Sequence, residues 1–249
     1  MVTAHGSLLI EAEQFDEVAV LTVSGTLDLA SYAVLRDTLI RYLIESTRAV
    51  VADIGALRIP TPATLSVFPT VRLRMADWPG LPVLLVEPDP VRRGRLSRLG
   101  VSHAVPVFTT VAEALGVLDE PSPHRRAVIV LPNGARSCVA ARGFIHRTLR
   151  RWGDGDALDQ DATAIANALV ANAVRHGNGM PSLRLDLSPD RLALAVADDG
   201  PEFMSPGTAG RDVPIGLGLM LVEALSVVWG SCPAPTGGKI VWAVLPYRR

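Results

Sequence analysis

Eight residues near the middle of the chain, DEPSPHRR at 119–126, contain two prolines and charges of both signs. A segment of this composition is stiff and solvated, and it does not enter a packed core. The chain on each side is long enough to bury a core of its own, because 49% of the 249 residues are hydrophobic. The stretch therefore predicts two domains, at 1–118 and 127–249, joined by a linker at 119–126.

The first half alternates apolar runs with segments of helical periodicity. Leucines at 35, 39 and 43 recur at the spacing of one helix face, and Thr109 or Thr110 is a candidate N-cap. The pattern predicts strands at 8–15, 18–24, 49–54 and 81–88 and helices at 29–46, 62–76, 90–99 and 110–118. Continuous apolar strands separated by helices are typical of an α/β fold, with a mixed sheet covered by helices.

The second half follows a different order, two helices before most of its strands. Apolar residues alternate strictly on both sides of Ser188-Pro189-Asp190, which predicts a β-hairpin with one packed face. The other predicted elements are an apolar run at 128–131, helices at 138–152, 158–176 and 218–228, and a last strand at 238–246. This order predicts an α+β sandwich, a sheet with helices on one face.

Charge and cysteine content narrow the classes of partner and compartment. The 24 basic and 25 acidic side chains leave a net charge of −1, which gives no electrostatic attraction to nucleic acid or to an anionic membrane. No apolar run reaches the ~18 residues of a spanning helix, and the N-terminus lacks the basic region of a signal peptide. Two distant cysteines, Cys138 and Cys232, suit a reducing compartment. We expect a cytoplasmic protein with neither nucleic acid nor membrane as a direct partner.

Two segments of the first half stand out, VLTVSGTLDLASYAVLRDTL at 20–39 and VVADIGALRIPTPATLSVF at 50–68. The first contains a Gly-x-Leu-Asp turn at 25–28. They resemble the STAS domain, the fold of anti-sigma-factor antagonists. The resemblance places the family's phosphorylated serine at Ala63, which has no hydroxyl. Thr61 and Thr64 are the remaining candidate phospho-acceptors, although Thr61 before Pro62 also fits a helix N-cap.

Four motifs of the second half occur in order: NAVRHG at 172–177, DDGPE at 198–202, GLGLMLV at 216–222 and GGKIVW at 237–242. Together they resemble the GHKL ATPases, which have the Bergerat fold of histidine kinases, and NAVRHG resembles the anti-sigma-factor serine kinases among them. The resemblance covers 136–246 and implies a Bergerat-fold α/β sandwich that binds ATP or ADP with Mg²⁺.

This resemblance assigns roles to residues that would bind adenine and Mg²⁺. Asn172 offers a carbonyl oxygen, the type of ligand that Mg²⁺ prefers. Asp198 would accept a hydrogen bond from the adenine amino group, and Gly200 lets the backbone pass close to the base. His176 fits a helix C-terminus and a nucleotide contact equally well.

The phosphate-binding end is assigned to Gly216, Gly218 and Leu219, where a helix begins with free N–H groups. The preceding residues, 204–215, have the composition of a mobile lid. Glu202 replaces the second glycine of the family's loop, and an anion there would strain the turn or repel phosphates.

Ala168 lies one turn before Asn172, where the kinases that the chain resembles carry a glutamate thought to be the general base. A methyl group neither orients nor deprotonates a nucleophile, and losing a general base costs on the order of 10²–10⁴ in rate. No catalytic residue is therefore assigned, and we expect weak or no kinase activity.

Each half thus keeps a family signature but lacks the residue that would perform phosphotransfer. The hypothesis is a bacterial regulator of the sigma-factor partner-switching type. Nucleotide would control its binding to a STAS-type antagonist, a sigma factor or an anti-sigma factor, and a homodimer is also allowed. Two alternatives stay open: an active serine/threonine kinase that uses another base, and a nucleotide-free scaffold or dimerisation module.

Overall fold

The computed structural model describes residues 2–5, 7–15, 17–46, 48–118, 125–153, 155–177, 179–200, 217–234 and 237–247. The chain divides into two compact units, Met1–Ser122 and Pro123–Arg249. Residues 119–124 of the predicted linker lie outside the described part. Arg125 and Arg126 were predicted to belong to the linker, which is wrong, since they begin a strand that pairs with its neighbour along its whole length.

The first unit holds a mixed sheet. Its strands are β1 (Val2–His5), β2 (Leu8–Phe15), β3 (Val18–Thr26), β4 (Ala49–Asp53), β5 (Leu57–Arg58), β6 (Val83–Val86) and β7 (Val107–Phe108). The sheet order is β1-β2-β3-β4-β6-β7, and β5 also pairs with β3. The two pairings that involve β2 are antiparallel and the others are parallel. The predicted mixed α/β sheet is confirmed.

Helices follow the strands as predicted. They are α1 (Leu29–Glu45), a 3-10 helix (Pro62–Ser66), α2 (Val67–Arg74), α3 (Pro90–Arg98), α4 (Val101–Ala104) and α5 (Val111–Gly116). Leu35, Leu39 and Leu43 are fully buried on one face of α1. Thr110 caps α5, since its hydroxyl accepts a hydrogen bond from the Glu113 N–H. The short elements β1, β5 and α4 were not predicted, because two to four residues carry no periodicity.

The turn at 25–28 fixes where α1 begins. Gly25 has a φ of +97°, a conformation that glycine adopts without strain. Asp28 then caps the helix by accepting from the Ser31 N–H, while the Ser31 hydroxyl bonds back to the Asp28 backbone. These hydrogen bonds lower the pKa of the Asp28 carboxyl.

The second unit is an antiparallel sheet packed against three helices. The elements are β8 (Arg125–Val130), α6 (Arg136–Trp152), α7 (Gly155–His176), β9 (Ser182–Leu187), β10 (Arg191–Asp198), α8 (Leu217–Leu225), β11 (Val228–Pro233) and β12 (Lys239–Pro246). The sheet order is β11-β12-β10-β9-β8. Side chains of the three helices and of alternate strand positions form a single buried core, which includes Ile145, Ile165, Leu185, Leu194 and Val222. This unit has the predicted combination of a sheet with helices on one face.

One strand of this sheet was missed. The predicted order passes from the helix at 218–228 to a single last strand, whereas β11 lies between them at the sheet edge. Its sequence, VWGSCP, contains a glycine and a proline, both disfavoured in strands. Gly230 is needed there because a Cβ would lie 2.7 Å from Cζ2 of Trp242 on β12.

No helix in the described part of the chain is long and apolar enough to cross a membrane.

Candidate functional site

The segment predicted to hold a phospho-acceptor forms the start of a helix in the first unit. Thr61 occupies the N-cap position before Pro62, but its side chain makes no capping hydrogen bond. Ala63 is exposed in the first turn. Thr64 is 1% exposed, and its hydroxyl donates to the carbonyl oxygens of Thr61 at 2.7 Å and Leu27 at 3.3 Å. The position with access to solvent thus carries a methyl group, and the Thr64 hydroxyl is buried.

Thr64→Val is expected to lower the free energy of unfolding by about 1 kcal/mol, because the variant removes the buried hydroxyl that donates to the Leu27 and Thr61 carbonyl oxygens. Thr61→Val is the matched control, since Thr61 is exposed and uncapped, and it should stay within about 0.5 kcal/mol of wild type. Urea denaturation measures both. Equal effects of the two substitutions would show that the Thr64 hydroxyl has no structural role.

In the second unit, Asp198 and Lys239 form a buried ion pair. They lie opposite each other on β10 and β12, with Nζ of Lys239 2.8 Å from Oδ1 of Asp198 and side chains that are 0% and 3% exposed. The same Oδ1 accepts the Gly200 N–H at 2.8 Å. From the described residues, Oδ2 of Asp198 receives no hydrogen bond. The carboxylate therefore keeps one oxygen that can accept from a ligand.

Glycines allow three chain segments to converge on this ion pair. A Cβ on Gly200 would lie 2.7 Å from Oδ1 of Asp198, 2.7 Å from Nζ of Lys239 and 2.8 Å from the His176 carbonyl oxygen. Gly238, with a φ of +81°, passes against the backbone of Asp198. The C-terminus of α7, the end of β10 and the start of β12 therefore meet at Asp198.

The other predicted residues lie along α7 and α8. Ala168, Asn172 and His176 are all half-buried on α7. Gly218 is exposed in the first turn of α8, and a Cβ built on it would lie 3.6 Å from the Cβ of Ala168. Leu219 is buried. The start of α8 thus packs beside the position that lacks the glutamate.

Two predictions about this site fall outside the described residues, those on Gly216 and Glu202, as does the predicted lid at 204–215. Among the residues that the structure does describe, no group of three or more His, Cys, Asp and Glu side chains could hold a metal ion. Coordination of Mg²⁺ by Asn172 stays a prediction.

Lys239 is the residue of this site that the sequence analysis missed. The chain has 24 basic side chains, and Lys239 is the single lysine among them. An ammonium is a compact point charge, whereas a guanidinium is a wide planar fork. The use of lysine at position 239, where every other basic position has arginine, was therefore a signal of a narrow site with an acidic partner.

A second charged cluster lies on β8 and β9. Asp186 is buried, and its two carboxylate oxygens accept from Nε of Arg126 at 2.7 Å and from Nε of Arg184 at 2.5 Å. Burial lowers the pKa of Arg184 to about 10 and raises the pKa of the Cys232 thiol to about 11. Both oxygens of the buried Asp186 carboxylate are thus paired with guanidinium groups of the same sheet.

Cys232 is expected to resist alkylation in the folded protein. With a pKa of about 11, about one thiol in a thousand is ionised at about pH 8, and the thiolate is the reactive form. Iodoacetamide labelling followed by peptide mass spectrometry should show modification of Cys232 slowed about a hundredfold relative to the same cysteine in guanidinium chloride. Similar rates in the two states would contradict the raised pKa of this thiol.

The first unit has the architecture of an α/β domain with a mixed sheet, and the comparisons with known proteins identify its family. Residues 10–114 match the family model of the STAS domain. This part of the chain is therefore a STAS domain, as its sequence motifs predicted. Among curated proteins, none matches the chain.

Similar solved structures align to less than half of the chain. An anti-sigma factor antagonist from Mycobacterium paratuberculosis is 21% identical, with 46% of this chain and 96% of that chain covered and a TM-score of 0.41. An anti-sigma-factor antagonist (STAS) domain protein from Planctomyces limnophilus is 16% identical, with coverages of 44% and 96% and a TM-score of 0.37. The Bacillus cell fate determinant SpoIIAA, in its phosphorylated form, is 15% identical, with coverages of 43% and 97% and a TM-score of 0.34.

Proposed function

We propose that this chain is a regulator of the partner-switching type, in which a STAS domain and a nucleotide-binding unit act by binding and not by phosphotransfer. The observation that carries the proposal is the STAS match at residues 10–114 combined with an exposed Ala63 where the family's acceptor serine would lie. A domain of this family without an acceptor hydroxyl retains its surface for protein partners. Those partners would be a STAS-type antagonist, a sigma factor or an anti-sigma factor.

The second unit would bind ATP or ADP beside Asp198. Its Oδ2, which receives no hydrogen bond from the described residues, is an acceptor suited to an exocyclic amino group, and Gly200 would let the backbone pass close to the base. Asn172 would contribute an oxygen ligand to Mg²⁺, and the start of α8 at Gly218 and Leu219 would face the phosphates. Bound nucleotide supplies binding free energy that differs between two conformations of the unit, and partner affinity changes accordingly.

The unit would not transfer phosphate, because Ala168 and its neighbours lack a general base. Gly218 of α8, which has no side chain, packs beside it, since a Cβ on Gly218 would lie 3.6 Å from the Cβ of Ala168. Asn167, next to Ala168, carries an amide, and an amide is not a base. Neither Ala168 nor these two residues therefore supplies a group that would deprotonate an attacking hydroxyl.

A nucleotide-free interaction module is the second candidate, and Lys239 favours it. The ammonium group already neutralises Asp198 and lies 2.7 Å from where a Cβ of Gly200 would be. If the cation fills the space that a base would need, the site is a structural ion pair and the unit binds only proteins.

Calorimetry on the full chain distinguishes the two candidates. We expect saturable heat with Mg·ATP and with ADP in EDTA. Asn172→Ala should weaken Mg·ATP binding by about tenfold, a loss of ~1.4 kcal/mol, and leave ADP binding in EDTA unchanged. Arg175→Ala is the matched control, because Arg175 is exposed on the same helix. Absence of heat at millimolar nucleotide would overturn nucleotide binding and favour the protein-only module.

A further inference from the structure

The STAS domain contains a cavity next to the 61–64 segment. Its volume is about 610 Å³, and its wall is formed by β5, by the chain that follows β5 and by α3. The apolar part of the wall includes Leu57, Ile59, Leu65 and Leu96. A volume of this size falls within the range of small-molecule sites, ~300–1,000 Å³.

Two arginines of the cavity wall have side chains that no described residue pairs. Arg58 and Arg95 are both exposed residues of its wall. Within the described ranges, neither guanidinium group donates a hydrogen bond or forms an ion pair. Five fixed N–H donors on each guanidinium match the geometry of a carboxylate or a phosphate.

The other two charges of the wall neutralise each other. Arg92 lies 3.0 Å from Oε2 of Glu87, whose side chain is 1% exposed. The same guanidinium also donates to the carbonyl oxygens of Ile54, Gly55 and Leu57. Arg92 therefore holds the chain before and within β5 in place, and the charge that remains for a ligand is that of Arg58 and Arg95.

We propose that this cavity binds a small amphipathic anion, a molecule with a phosphate or carboxylate group joined to an apolar body. Arg58 and Arg95 bind the anionic group, and the leucine and isoleucine side chains cover the apolar part. Burial of the apolar body favours binding, and the charges of Arg58 and Arg95 give the preference for an anion.

The position of the cavity suggests what the ligand controls. Ile59, Pro60 and Leu65 belong to the wall, and they flank the 61–64 segment on both sides. An occupied cavity constrains the same segment that a phosphoserine would alter in other members of the family. This consequence rests on the proposed partner-switching function, whereas the binding itself does not.

The test uses the ¹⁵N-labelled full chain titrated with octyl phosphate and, separately, octanoate. Saturable amide shifts are expected at Leu57, Ile59 and Leu96, and the tighter of the two probes identifies the anionic group. Octylammonium and octanol are the probes without negative charge, and both should bind at least about tenfold more weakly. Equal affinity for octylammonium, or no saturable shift with either anion at millimolar concentration, would overturn the site.

Matched variants locate the anion. Arg58→Gln with Arg95→Gln should weaken octyl phosphate binding by about tenfold or more, since the two charge-assisted contacts are lost. Arg98→Gln is the control, because Arg98 lies on α3 and does not line the cavity. Unchanged affinity in the double variant would overturn the proposal. Nucleotide calorimetry on the same double variant should match wild type, so that failure of this site and failure of nucleotide binding are separate results.

Discussion

Lys239→Met is expected to lower the free energy of unfolding of the second unit by about 3–5 kcal/mol, the usual cost of removing one partner of a buried ion pair. Asp198 has a 3% exposed side chain, and its cation lies 2.8 Å away with 0% exposure. Methionine matches the length of the lysine stem but supplies no positive charge. The carboxylate would then remain buried with the Gly200 N–H as its donor.

Urea denaturation, with the second unit followed by tryptophan fluorescence, measures this loss. The double variant Asp198→Asn with Lys239→Met should regain much of the stability, because no uncompensated charge is left buried. His146→Gln is the control at an exposed pair, where His146 is 53% exposed and 3.2 Å from Asp159, and its effect should stay below about 1 kcal/mol. A loss for Lys239→Met as small as that of His146→Gln would contradict the importance of the buried pair.

The elements that the sequence predicted correctly are those whose burial follows one period. In α1 the apolar residues recur on one helix face, and all of its predicted leucines are fully buried. In the hairpin of β9 and β10 the leucines alternate and enter the core together. Such elements can be predicted because each buries one apolar face, and that face gives the sequence a regular period.

The elements that were missed depend on partners distant in sequence. β5 is two residues long and exists because Gly25 and Thr26 pair with it. β11 contains Gly230 because Trp242 of the neighbouring strand covers that position. No local pattern encodes such pairings, since they are decided by tertiary contacts.

The same distinction applies to the candidate site. Asp198 and Gly200 were predicted from a local motif, and the structure places them together at the end of β10. Lys239 is 41 residues from Asp198 in sequence, and only the register of β10 with β12 brings the two together. The charge of the site therefore could not be predicted from the motif alone.

Ala168→Glu is expected to raise Mg·ATP hydrolysis by about 10²–10⁴-fold over wild type, the usual contribution of a general base. Position 168 is half-buried, so a longer side chain can extend toward solvent. A Cβ built on Gly218 would lie 3.6 Å from the Cβ of Ala168, so a carboxylate at position 168 would lie beside the start of α8. Water is the acceptor in this assay, so the result does not depend on knowing the protein partner.

Ala168→Gln separates the base from its shape, because glutamine fills the same volume and cannot take a proton. Phosphate release by this variant should remain at the wild-type rate, with ADP affinity in EDTA unchanged in both variants. If glutamine raised hydrolysis as much as glutamate does, packing against α8 and not proton transfer would limit the rate. If neither variant hydrolysed ATP although both bound it, this unit would differ from a kinase in more than the missing base. That result would strengthen the proposal that the protein controls its partners by binding.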